Sequence, residues 1–88
     1  MVADKEMERL YKALANRRRV AIVRYLKSGN RTVGGIAAFL KLSVKSTSRH
    51  LQVLSSAGFV TSEQKGPYVH YSLDAKSGGF RILRAGLF

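Results

Sequence analysis

The residues of this chain best equipped for chemistry lie between Ser43 and Gln52, in the run "SVKSTSRHLQ". Lys45 and Arg49 stand four residues apart, so on a helix they point to the same side, and Gln52 extends that strip by about one turn. Ser46 and Ser48 are short donors that let a backbone come close to whatever the strip meets. A helix facing only water gains from Glu, Lys, Ala and paired opposite charges. This one has no carboxylate from Leu42 to Val60, and each Ser or Thr in place of Ala gives up roughly half a kcal/mol of helix propensity. Cationic and amide donors without acids match a surface that must approach phosphates and base edges without repelling them. Simple solvation of Lys45 and Arg49 would leave the missing acids unexplained.

Other chemistries have little material. With no cysteine, disulfides, thiolate metal sites and thiol redox sensing are excluded. Two separated histidines, His50 and His70, and five scattered acids provide no nucleophile and base constellation, so an enzyme is not expected. No cofactor is implied.

The elements that would position the strip can be read from periodicity. Met7, Leu10, Tyr11 and Leu14 fall at i, i+3, i+4 and i+7, which predicts an amphipathic helix over residues 4–15 with acids in its first turns. Asn16 can cap a second helix, residues 17 to about 28, packed through Val20, Ile22, Val23 and Leu26 and ended by Gly29-Asn30. Arg17, Arg18 and Arg19 in its first turn oppose the helix dipole. Two readings of them are open: solvated charge, or contact with something negative outside the chain.

An extended piece at residues 31–33 precedes a short helix at 34–40, with Ile36, Ala37 and Leu40 inward, and Lys41-Leu42 turns the chain. Ser43 is a good N-cap for the fourth helix, where Thr47, Leu51 and Leu54 recur at four and three residues with Val53 and Ala57 beside them, until Gly58 supplies a left-handed C′ position. Val44 either closes the core, the preferred reading, or meets a thymine methyl. Two short helices joined by so tight a turn predict a helix-turn-helix, whose second member can enter a major groove. From Phe59 the period becomes two: Val60, Ser62 and Gln64 alternate with their neighbours, Gly66-Pro67 interrupts, and Val69, Tyr71 and Leu73 alternate again. That is a β-hairpin. Lys65 would sit at its tip within reach of a DNA backbone or minor groove, with Tyr68 along the sugar edge. The predicted class is mainly α with a small β-hairpin, a winged helix-turn-helix, with residues 1–88 forming one domain.

Charge agrees with a nucleic-acid partner. Of the net +11, residues 1–16 contribute nothing, whereas the remainder carries 13 basic residues against Glu63 and Asp74. With 45% hydrophobic residues and no low-complexity tail, that excess belongs to a folded body, and a polyanion is the expected partner. No apolar run approaches the ~20 residues of a membrane span, and the first residues lack a signal-peptide core, so a soluble cytoplasmic protein is expected.

The pieces "YKALANRRRVAIVRYL", "LSVKSTSRHLQVLSSAGFV" and "VHYSL" together resemble the opening helix pair, recognition helix and second wing strand of the ArsR (arsenic repressor) family of transcription regulators, over roughly residues 7 to 73. The resemblance implies sequence-specific binding of double-stranded DNA, regulation of transcription by repression, and a homodimer. DNA contacts are then expected from Ser43, Val44, Lys45, Ser46, Ser48, Arg49, His50, Gln52, Lys65 and Tyr68. A dimer interface is expected from Met7, Leu10 and Tyr11 with Phe80, Leu83, Leu87 and Phe88.

Metal-sensing members carry paired cysteines where this chain reads Thr32-Val33-Gly34-Gly35, and others use Asp and His ligands on a long C-terminal helix, whereas no His or acid follows Asp74. No metal site is therefore expected, and any small-molecule effector is unspecified. His50 is expected to pack or contact a phosphate, and His70 to lie on the outer face of the wing. Related proteins often place an arginine near the wing tip, a place Pro67 occupies here. The competing classes are a non-specific architectural DNA protein and a winged-helix module for a protein or RNA partner.

Overall fold

The computed structural model describes residues 4–74. Helix α1 (Asp4–Leu14) leads through a two-residue bend into α2 (Arg17–Leu26), whose start is set by Asn16: its Oδ1 accepts from the backbone N–H groups of Arg18 and Arg19 at 3.0 and 3.1 Å. This helix stops at Leu26, two residues short of the expected end, where Lys27 and Ser28 turn the chain into Gly29 at φ 134°.

The extended piece is strand β1 (Arg31–Thr32), and α3 (Val33–Leu40) starts one residue earlier than expected because Thr32 caps it, Oγ1 accepting from Gly35 N–H at 3.0 Å. At the end of α3, Leu42 N–H reaches back to Ala37 C=O and Lys41 N–H to Ala38 C=O, with Lys41 itself at φ 58°. This is the closing motif usually given to glycine, here carried by a lysine. Helix α4 (Val44–Ser56) is capped by Ser43, whose Oγ accepts from Ser46 N–H at 3.0 Å. It closes by the same motif, with Gly58 at φ 83° and Phe59 N–H on Leu54 C=O at 2.9 Å.

Strands β2 (Val60–Lys65) and β3 (Tyr68–Leu73) form the expected hairpin, from Val60↔Leu73 to Lys65↔Tyr68. The sheet nevertheless has three strands, in the order β1-β3-β2, because β1 pairs antiparallel with β3 through Arg31↔Tyr71 and Thr32↔His70. A strand of two residues has no visible period, so its pairing is a long-range event that local pattern cannot announce.

The core is the meeting of the helix stripes with the base of the wing: Leu10 and Ala13 of α1, Ile22, Val23 and Leu26 of α2, Ile36 of α3, Leu51 and Leu54 of α4, then Phe59 and Val60. Three expectations fail at its margin. Val44 is 52% exposed and Val53 41%, because the buried stripe of α4 begins at Thr47 and runs through Leu51 and Leu54, leaving Val44 ahead of it and Val53 on another face. His70 is not on an outer face either. It occupies the central strand between Thr32 and Glu63, half-buried, with Nδ1 enclosed and without a hydrogen-bond partner among the described residues.

Candidate nucleic-acid interface

The turn of residues 41–43 joins α3 to α4 and leaves one side of α4 clear of the core. Lys45, Ser46, Arg49 and Gln52 are exposed there, Ser48 and His50 are half-buried at its flanks, and Ser43 sits exposed at the N-cap. Exposed Val44 adds a methyl surface beside them. No Asp or Glu interrupts the strip.

The wing offers a second set of exposed side chains. Gly66 at φ 59° makes its tip, and Gln64 Nε2–H donates to Gly66 C=O at 2.8 Å, bracing the turn. Lys65 and Tyr68 are register partners and so lie side by side, Tyr68 61% exposed. Glu63 Oε1 lies 3.7 Å from Lys65 Nζ, a loose surface pair contributing little energy, so Lys65 remains available to a stronger anion.

His50 faces an arginine rather than standing alone. Arg19 Nε–H donates to Ala13 C=O at 2.6 Å and its Nη2–H to Lys12 C=O at 3.1 Å, while Nη1 lies 3.3 Å from His50 Nδ1. One guanidinium thus closes the C-terminal end of α1, where carbonyls lack helical partners, and ties it to α4. Of the two readings of the arginine run, Arg19 follows neither: its partner is inside the chain. Arg17 and Arg18 are exposed. Because a guanidinium can only donate, Nδ1 must accept, which assigns the proton of neutral His50 to Nε2. Burial, then the charges of Arg19 and Arg18, hold His50 below its ordinary pKa of 6.5.

Sequence reading also missed the basic flank of α1. Lys5, Arg9 and Lys12 follow at four and three residues, so they share a side, but the even charge of residues 1–16 hid it. In the fold that side borders an open groove of about 780 Å³ whose other wall is Arg49, Gln52, Val53 and Ser56 of α4. On the far side of α2, the rings of Tyr25 and Phe39 stack with centroids 4.0 Å apart, and Arg31 lies 4.8 Å over Tyr25.

The expected dimer residues divide. Leu10 is 3% exposed and belongs to the core of its own chain, because the stripe that meets α2 runs through Leu10 and Ala13; Met7 is half-buried against that core and Tyr11 is 58% exposed. Phe80, Leu83, Leu87 and Phe88 lie outside the described residues.

The position of the family's cysteine motif does not fit a metal: Thr32 Oγ1 is engaged in capping α3 and its neighbours are Val33, Gly34 and Gly35. Among the described residues no three His, Asp or Glu side chains cluster, and no helix is long and apolar enough to cross a membrane.

Among the described residues, four helices, of which the recognition-type α4 is free on one face, and a three-stranded sheet ending in the wing define a winged helix-turn-helix DNA-binding domain. The chain belongs to the ArsR family of bacterial regulatory proteins, whose family model matches residues 16–62. It is 35% identical over 68 residues to the transcriptional repressor SdpR of Bacillus subtilis, covering 77% of this chain and 76% of that protein. Among solved structures, the homodimeric winged helix-turn-helix DNA-binding domain Mb0332 of Mycobacterium bovis superposes with a TM-score of 0.81 at 30% identity, covering 92% of this chain and 77% of that one. HlyU of Vibrio cholerae gives 0.79 at 30% identity, covering 92% and 88%. SdpR is a transcriptional repressor, and Mb0332 is a possible ArsR-family transcriptional regulator.

Proposed function

We propose that this chain is a sequence-specific repressor that binds double-stranded DNA as a homodimer in the cytoplasm and has no metal-sensing site. The observation that carries the reading is the exposed, carboxylate-free strip of α4. Lys45, Arg49 and Gln52 read base edges, with Ser46 and Ser48 allowing close approach and Val44 placed against a thymine methyl. Ser43 and the Nε2–H of His50 serve phosphate oxygens, as do Lys65 and Tyr68 from the wing. The repressor role is supported by the likeness to SdpR, and the homodimer by the assembly of the Mycobacterium bovis domain. Met7 and Tyr11 would join residues after Asp74 at the interface, and paired recognition helices would read half-sites one DNA turn apart, about 34 Å.

Selection of bound duplexes from random DNA, with a search for a repeated half-site, supplies the operator. Arg49→Ala should then weaken operator binding by about 1 to 3 kcal/mol and random DNA much less, collapsing selectivity. Lys65→Ala should weaken all sequences alike and reduce the salt slope by about one unit. An unchanged operator-to-random ratio for Arg49→Ala refutes the role of α4. Equal affinity of the parent protein for all duplexes would indicate an architectural protein, and tighter binding of an RNA or protein partner would indicate an interaction module.

A further inference from the structure

Among the described residues, the groove between α1 and α4 is lined by five cations, Lys5, Arg9, Lys12, Arg19 and Arg49, and by the carboxylate of Glu8. Two of the five are already committed. Lys12 Nζ pairs with Glu8 Oε1 at 2.8 Å, which also holds the Glu8 carboxyl below its ordinary pKa, and Arg19 closes α1. Lys5, Arg9 and Arg49 keep exposed cationic heads with no ion-pair partner among the described residues. Arg49 belongs both to this groove and to the recognition strip, so any phosphate strand bordering the major groove that α4 occupies on its α1 side runs directly into it.

We infer that the α1–α4 groove is a track for a DNA phosphate strand, in which Lys5 and Arg9 contact phosphates lying outside the bases that α4 reads. The inference rests on α4 being the recognition helix. It extends the interface to an element with no base contact. A strand is a better occupant than a closed-in small anion because the groove is open and its cations lie in a row, Lys5 and Arg9 one helical turn apart on α1 and Arg49 across from them. Contact with DNA here leaves dimerisation free, since Lys5, Arg9 and Lys12 share one face of α1 while Met7, Tyr11 and Leu14 share another.

The test compares two duplexes carrying the selected operator, one trimmed to the bases read by α4 and one with about ten further base pairs on each side. With Lys5→Ala plus Arg9→Ala, binding to the long duplex should weaken about three- to tenfold at moderate salt, with a salt slope lower by about one unit for each phosphate no longer neutralised. On the trimmed duplex the variant should match the parent, and the operator-to-random ratio should stay at the parent's value on both. Sedimentation and circular dichroism establish that the variant is folded and assembled as the parent is. Independently of any variant, phosphate ethylation of the flanks should interfere with binding by the parent protein. Equal behaviour of variant and parent on the long duplex, or no ethylation interference in the flanks, overturns the inference, and so does a groove that takes up inorganic phosphate at millimolar concentration while flank length has no effect. An operator-to-random ratio left unchanged by Arg49→Ala would instead refute α4 as the recognition helix.

Discussion

Replacing Arg19 by Ala should destabilise the fold by at least about 2 kcal/mol, a lower bound that follows from what each donor holds. Ala13 is fully buried, so its carbonyl, now 2.6 Å from Nε, would be left without a partner; a buried acceptor in that state costs about 1 to 3 kcal/mol. The bond to Lys12 is exposed, so water replaces it at a loss of roughly 0.5 kcal/mol. A cation at the C-terminal end of α1 adds about 0.3 to 1 kcal/mol through the helix dipole. For a chain of this length, about 2 kcal/mol corresponds to a fall in melting temperature of roughly 8 to 16 °C. Urea denaturation followed by circular dichroism, at fixed protomer concentration because association shifts apparent stability, measures the difference. Arg18→Ala is the control: that side chain is exposed and carries an equal charge, and its removal should change stability by less than about 0.5 kcal/mol. Arg19→Lys should fall between, because an ammonium can reach one carbonyl but cannot span two in a fixed fork. If Arg19→Ala is no less stable than Arg18→Ala, the guanidinium does not hold α1 to α4.

Two further outcomes are expected. His50 has a folded pKa below its unfolded value near 6.5, so between the two the unfolded chain binds more protons: stability is complete above about pH 6.5, declines as pH falls toward the folded pKa and then levels off. Denaturation midpoints of the parent and His50→Gln across about pH 5 to 8 check this, and equal pH dependence of the two refutes the assignment. Zinc, cadmium or arsenite at modest excess should leave operator affinity unchanged in a binding titration, because Thr32, Val33, Gly34 and Gly35 offer no thiolate; metal-induced release from DNA would contradict that.

Local chemistry made much of this architecture legible. Asn16 and Ser43 satisfy the first N–H groups of their helices wherever those helices lie, so both starts could be read from one residue each. Gly58 marks the end of α4 because a left-handed residue suits glycine, and the alternation after Phe59 marks the wing. The missing acids of α4 are likewise a property of composition, visible without coordinates.

Contacts between segments distant in the chain were decided by the fold alone. Nothing local says that Arg31 and Thr32 will pair with Tyr71 and His70, and that pairing is what encloses His70. Whether Val44 and Val53 are covered depends on how far the neighbouring elements reach, not on their own hydrophobicity. Lys41 takes a left-handed conformation that its sequence neighbours do not announce, because the short turn into α4 demands it. Arg19 looks like one of three equal charges until α1 folds back and presents the carbonyls of Lys12 and Ala13 to it alone. Lys5 and Arg9 meet Arg49 for the same reason: an i, i+4 spacing puts two cations on one side of a helix, but only packing decides what lies across from them.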